Sequence, residues 1–155
     1  IKSFRGMVSS GSIETVALHT NNGSTGYRIK KLQIVPNTPF ATDASSEHIF
    51  KIYKTPQTIV DSAIDFSDQT LLAVAVVAVS EDSTAGNGVF VYDTVVFDNE
   101  VFNQDISLTC IDVEGADAAQ PCNYYIELEQ IKLSLDENTV ATLKNIRNTI
   151  TPTSV

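Results

Sequence analysis

Two segments near the end of the chain decide the fold class: Ile106-Ser107-Leu108-Thr109-Cys110 and Cys122-Asn123-Tyr124-Tyr125-Ile126-Glu127-Leu128. In each segment apolar residues recur at every second position, the pattern of a β-strand with one buried face. If the intervening loop is centred on Ala116, Cys110 lies opposite Cys122 and every apolar pair falls on one face. We therefore expect these segments to form an antiparallel hairpin.

The rest of the chain carries similar strand signals between turn clusters. The most apolar run, Leu71 to Val79, is too short for a membrane helix, which takes about 20 residues, and is expected to be a buried strand. The pattern from Tyr27 to Val35 slips by one residue at Lys30-Lys31, which predicts a β-bulge. Several short strands separated by turns predict an all-β fold, an antiparallel β-sandwich or jelly-roll-like domain.

One short helix is expected after the last strand. Ser134-Leu135-Asp136-Glu137 fits a capping box, and Val140, Leu143 and Ile146 recur at helical spacing. These signals predict a helix over residues 135–147. Because a helix of this length is marginal alone, we expect its apolar stripe to lie on the sheet.

Length and composition indicate a single domain over residues 1–155, with residues 149–155 as a loose tail. The formal net charge of −9 disfavours binding to nucleic acid and to anionic membrane surfaces. The first residues lack the apolar segment that a signal peptide contains, so we expect no signal peptide.

No residue pattern predicts a metal or cofactor. His19 and His48 each lie in a predicted strand outside any ligand motif. The acidic turn Asp112-Val113-Glu114-Gly115-Ala116-Asp117 has oxygen ligands around a glycine, but it lacks the rest of a calcium loop and is expected to be a solvated tip.

Catalytic patterns are also lacking in the sequence. Asp98, Glu100 and Asp105 are the one carboxylate group that could suggest acid–base chemistry, yet acidic residues are common in turns. We therefore expect a protein that is not an enzyme.

The two cysteines leave two alternatives. Cys110 and Cys122 could be bridged if the predicted register brings their Cα atoms within about 7 Å. The alternative is that they are buried thiols that pack as small hydrophobic side chains, and a reducing cytoplasm favours this alternative.

Five stretches carry a resemblance to a known group of proteins. They are Lys2-Ser3-Phe4-Arg5-Gly6, Thr20-Asn21-Asn22-Gly23 with Gly26-Tyr27, Phe97 to Ile106, Asn123 to Ile131, and Thr139 to Asn148. Over most of its length the chain resembles small virion proteins of marine tailed bacteriophages, including phages of cyanobacteria.

This resemblance implies a non-enzymatic component of the virion, assembled in the host cytoplasm. Its expected role is a decoration or cement protein that binds the major capsid protein, or other virion proteins, on the head shell. Homo-oligomerisation is compatible with that role. The alternatives are a tail, neck or fibre-associated protein and, from another class, a carbohydrate-binding β-sandwich module.

Interface residues are expected in two places. The N-terminal residues 1–8 could form a free arm that adds a strand to a neighbour's sheet. Phe97 and Phe102 flank a polar turn and could anchor a contact, although both could equally be core residues. The candidate interface residues are Phe4, Arg5, Phe97, Asp98, Asn99, Glu100, Phe102 and Asn103.

Overall fold

Eight strands and one helix make up the computed structural model, which describes residues 1–38, 46–82, 87–113 and 119–150. The strands are β1 (Lys2–Val8), β2 (Ser12–Val16), β3 (Thr25–Pro36), β4 (Ser46–Tyr53), β5 (Leu71–Asp82), β6 (Asn87–Val96), β7 (Ile106–Asp112) and β8 (Cys122–Lys132). The helix α1 spans Leu135–Ile150. The predicted all-β sandwich with one C-terminal helix is confirmed.

The strands form two antiparallel sheets, ordered β1-β8-β3 and β2-β7-β4-β5-β6. A jelly roll divides eight strands between sheets ordered β1-β8-β3-β6 and β2-β7-β4-β5. Here β6 is hydrogen-bonded to β5 and also borders β3, where Tyr92 Oη donates to the Leu32 carbonyl at 3.3 Å. The chain therefore has a jelly-roll arrangement in which β6 lies at the seam between the sheets.

The hairpin predicted from β7 and β8 is wrong. β7 pairs with β2 and β4 in one sheet, whereas β8 pairs with β1 and β3 in the other. Alternating apolar residues show only that one face of each strand is buried in a core. The inner faces of two opposed sheets give the same alternation as one face of a hairpin.

The core lies between the sheets and is built from the inward positions of both. One large pair crosses the midplane, since the Phe50 and Tyr124 rings from opposite sheets lie 5.6 Å apart between centroids. Tyr27 and Phe102, which are joined by backbone hydrogen bonds, stack with centroids 6.4 Å apart. Leu108 and Ile126 are fully buried, as the alternation predicted. Burial of this apolar surface is the main source of stability.

Residues 1–8 do not form a free arm in this structure. Lys2–Val8 is an edge strand of the chain's own sheet, where Phe4 lies opposite Ile126 and Val8 opposite Cys122. The prediction of a free arm is therefore wrong for the isolated chain, because residues 2–8 pair with β8 of the same chain.

Two local features appear where the sequence placed them. The register between β3 and β8 shifts between Ile29 and Lys31, which confirms the predicted bulge. At the start of α1, Glu137 N–H donates to Ser134 Oγ and Ser134 N–H donates to Glu137 Oε2, both at 3.2 Å, as a capping box requires.

The helix ends later than predicted and does not place its stripe on the sheet. It continues to Ile150, so the start of the expected tail is helical, while residues 151–155 lie outside the described part of the chain. Val140, Leu143 and Ile146 are each about half exposed or more. The expected packing of this stripe against the sheet is wrong.

Candidate functional site

A groove of about 700 Å³ crosses the outer face of the three-stranded sheet. Strand alternation points Arg5 and Met7 of β1 outward, together with Gln33 and Val35 of β3. Tyr125 of the central strand β8 lies between these two pairs.

The strand register fixes the arrangement of these groove residues. Arg5 and Gln33 lie on either side of Tyr125 in one cross-strand row. Met7 and Val35 lie in the next row, on either side of Asn123 of β8. The groove thus has one row in which the apolar Met7 and Val35 flank the polar Asn123, beside a second row of Arg5, Tyr125 and Gln33. Its far end is lined by Tyr92 at the seam strand β6.

The Tyr125 side chain is held in place by charged neighbours. Lys31 Nζ lies 5.9 Å from the centroid of its ring, a cation–π distance. Its hydroxyl donates to Glu127 Oε1 at 2.9 Å, and this hydrogen bond to a carboxylate raises the pKa of Tyr125. The phenol therefore stays neutral at physiological pH and presents a fixed ring to the groove.

Cations gather along the same face although the chain as a whole is acidic. Arg28 donates to Glu129 Oε2, and Lys30 Nζ lies 3.8 Å from the same oxygen. The hydrogen bond from Arg28 is the largest cause of the lowered pKa of Glu129. Of the cations on this face, Arg5 lines the groove and Lys31 lies beside Tyr125, whereas Arg28 and Lys30 are paired with Glu129.

A second, smaller depression of about 320 Å³ is lined in part by the start of Phe97 to Ile106, one of the stretches that resemble phage virion proteins. The Phe97 ring meets Phe66 edge to face, with centroids 5.4 Å apart. Asp98 and Asn99 are exposed at its rim, and Glu100 forms an ion pair with Lys54 at 3.4 Å. These four candidate interface residues are therefore close together on the surface.

The remaining candidate interface residues have different environments. Phe102 is 3% exposed and lies in the core, so the core alternative is correct for this residue. Phe4 is partly buried and packs against the core, whereas Arg5 is exposed in the groove. The side-chain amide of Asn103 is buried and donates toward Gly23 O, Asn138 Oδ1 and Thr142 Oγ1 at 3.1–3.3 Å.

Cys110 and Cys122 face each other, but from opposite sheets rather than across a hairpin. Both are fully buried free thiols. The hydrogen bond with the Cys110 thiol, followed by burial, raises the pKa of Cys122. The pair therefore packs as small core residues, which is the second of the two alternatives.

Two of the histidine and carboxylate candidates, His48 and Asp112, have partners within the fold. His48 is buried, and its Nε2 lies 2.8 Å from Gln120 O and 3.7 Å from Asp112 Oδ2. Asp112 accepts from the backbone N–H groups of Glu47 and Gln120, so it organises two segments.

Two further sequence hypotheses concern carboxylates. Asp105 Oδ1 accepts a hydrogen bond from Leu18 N–H at 2.8 Å, so this carboxylate holds the backbone at Leu18. Asp98 instead lies exposed at the rim of the smaller depression. Residues 114–117 of the acidic turn lie outside the described residues. Within the parts of the chain that are described, no group of three or more His, Cys, Asp or Glu residues could hold a metal ion.

Comparison with protein-family models, with curated proteins and with solved structures finds no match to this chain. Among the described residues, no helix is long and apolar enough to cross a membrane. The groove on the three-stranded sheet is therefore the candidate site on geometry alone.

Sequence reasoning identified only Arg5 among the groove residues named above. Met7, Val35, Tyr92 and Tyr125 were missed because outward positions of a strand normally face solvent. The signal that could have found them is two apolar residues, Met7 and Val35, at outward positions of strands that share a neighbour.

Proposed function

We propose that this chain is a non-enzymatic structural protein of a tailed-phage virion, a decoration or cement protein that binds the head shell. The resemblance of the chain to marine phage virion proteins supplies the virion context. The groove across the β1-β8-β3 sheet supplies the contact.

The residue types in the groove carry this proposal. Arginine, methionine and tyrosine are more frequent at protein interfaces than on the rest of the surface. The groove contains all three types, as Arg5, Met7, Tyr92 and Tyr125. Tyrosine and arginine are also frequent hot-spot residues. Tyr125 is held in position by Lys31 and Glu127, so little side-chain entropy is lost when a partner covers it.

The charges around the groove define the partner surface. The cations near Tyr125 favour a shell segment with acidic side chains beside an apolar residue that packs on Met7 or Val35. The net charge of −9 keeps free subunits soluble. A stable contact needs about 1,000 Å² or more of buried surface in total, so the groove is the centre of a larger footprint.

The direct test is binding to shells assembled from the capsid protein of the same phage. Val35 and Val91 are both 54% exposed, but only Val35 lines the groove. Val35→Asp is expected to lower the number of bound copies per shell severalfold, because it places a charge where the apolar Val35 side chain now lines the groove. Val91→Asp is the matched control and should bind like the wild type.

Two results would overturn this proposal. One is equal binding of the wild type and both variants, with melting curves that show each is folded. The other is a virion density map that places the copies on the tail, neck or fibres, which would favour the alternative location.

A further inference from the structure

The helix α1 turns a polar side, not its apolar side, toward the domain. Asn138 Oδ1 accepts from Asn103 Nδ2 at 3.1 Å, and Thr142, one turn later, lies 3.3 Å from the same nitrogen. Gly23 lies so close that a Cβ there would come within 2.6 Å of Asn138 Oδ1. These contacts define the inner side of the helix.

The apolar residues of α1 lie on a different side. Val140, Leu143 and Ile146 follow at three-residue intervals and form one stripe, with exposures of 53%, 58% and 46%. Leu135, in the first turn, is 80% exposed. An amphipathic helix normally buries such a stripe, and a 16-residue helix with several Asn and Thr residues is marginal without packing. The stripe therefore calls for a cover from outside the domain.

The order of charges along α1 indicates what that cover is. Asp136 and Glu137 stand in the first turn, whereas Lys144 and Arg147 belong to the second half of the helix. A second copy of the helix laid antiparallel places the acidic start of each copy beside the basic half of the other. A parallel copy would instead set like charges level with each other.

The antiparallel register also aligns the apolar residues. When Val140 of one helix lies level with Leu143 of the other, the two-fold axis passes between residues 141 and 142. Asp136 then lies within one turn of Lys144 of the second copy. A two-fold contact of this kind uses the same surface on both subunits and closes as a dimer.

We propose that the exposed stripe of α1 binds the same stripe of a second copy of this chain in an antiparallel, two-fold helix pair. This contact is separate from the groove on the β1-β8-β3 sheet, so it holds whether or not the chain binds a capsid. A pair of single helices is at the small end of specific interfaces, and association in the micromolar range or weaker is expected.

The first test is sedimentation velocity of the full chain over a concentration series. Val140→Asp and Leu143→Ser are expected to weaken dimerisation by about tenfold or more, because each removes apolar contact at the centre of the pair. Val91→Asp is the matched control, since Val91 is 54% exposed on β6, and it should dimerise like the wild type. Circular dichroism checks that each variant is folded.

The second test distinguishes the orientation of the helices. In an antiparallel pair, Asp136→Lys alone or Lys144→Glu alone sets like charges together and weakens the dimer, whereas the double variant restores complementarity. In a parallel pair each position faces its own copy, so the double variant would bring no rescue. A wild type that remains monomeric throughout the series, or a Val91→Asp variant as defective as Val140→Asp, would overturn the proposal.

Discussion

Gly6 lies directly against the ring of Tyr124, its register partner on β8. A Cβ at Gly6 would stand 2.7 Å from the phenol oxygen and 2.9 Å from Cζ, closer than carbon side chains pack. The same phenol donates to Glu14 Oε1 at 3.1 Å in the opposite sheet. The missing side chain of Gly6 therefore lets one tyrosine reach across the sandwich.

We expect Gly6→Ala to destabilise the fold by about 1–3 kcal/mol, because the ring must shift to accept the methyl group. In an ordinary strand position the same change would stabilise by about 0.5–1 kcal/mol, so the sign is informative. Urea denaturation measures the effect, with the exposed Ser3→Ala on the same strand as control. A Gly6→Ala variant as stable as the wild type would show that the ring moves freely.

Alkaline pH should destabilise the protein through Tyr124. Burial, followed by the nearby charge of Glu14, raises the pKa of Tyr124 to about 12, above its usual value near 10. The folded state thus holds this proton more tightly than the unfolded state, so its contribution is complete below about pH 10 and is lost as the pH rises toward about 12. Denaturation across that range should show falling stability that is less steep in Tyr124→Phe.

The same alkaline window gives a second check on Glu14. Glu14→Gln removes the charge that opposes ionisation of the phenol, so the pKa of Tyr124 should fall toward its usual value. The pH dependence between about 10 and 12 should then weaken in this variant too. An alkaline limb identical in the wild type and both variants would contradict the assignment to Tyr124.

Thiol reagents should modify the native protein slowly. Cys110 and Cys122 are fully buried, and the raised pKa of Cys122 keeps it in the unreactive thiol form. Labelling in native buffer should therefore be far slower than in denaturant, where both thiols become accessible. A Ser3→Cys variant supplies an exposed thiol for comparison, and native labelling of Cys122 as fast as that thiol would contradict the prediction.

Asn103 should hold α1 to the domain. Its amide donates toward Gly23, Asn138 and Thr142, so Asn103→Ala is expected to cost about 1 kcal/mol and to increase hydrogen exchange along α1. Asn99→Ala, at an exposed position of the same run, is the matched control and should leave exchange unchanged. Equal protection of the helix in both variants would mean that other contacts anchor it.

Local features of the fold were predictable because their causes lie within a few residues. The bulge at Lys30-Lys31 follows from a phase slip, and the start of α1 follows from the capping box at Ser134. Strand pairing was not predictable in the same way. Cys110 and Cys122 do face each other, but inward positions of opposed sheets and of one hairpin give the same alternation, and only the longer-range order of strands distinguishes them.

The candidate site was harder to predict than the fold. Arg5 was identified through a resemblance, whereas Tyr125 and Val35 become neighbours only through the register of β3 and β8. The apolar stripe of α1 was predicted from the sequence, but the side of the helix that faces the domain was not. Asn138 and Thr142 decide that side through Asn103, a residue more than 30 positions away.

The position of β8 between β1 and β3 also governs when the groove can exist. During synthesis the first and third strands emerge long before residues 122–132, the segment with which both of them pair. Contacts between residues so far apart in sequence form late and slowly. An interrupted chain that ends before β8 would therefore present no groove, so any partner of the groove would bind only nearly complete chains.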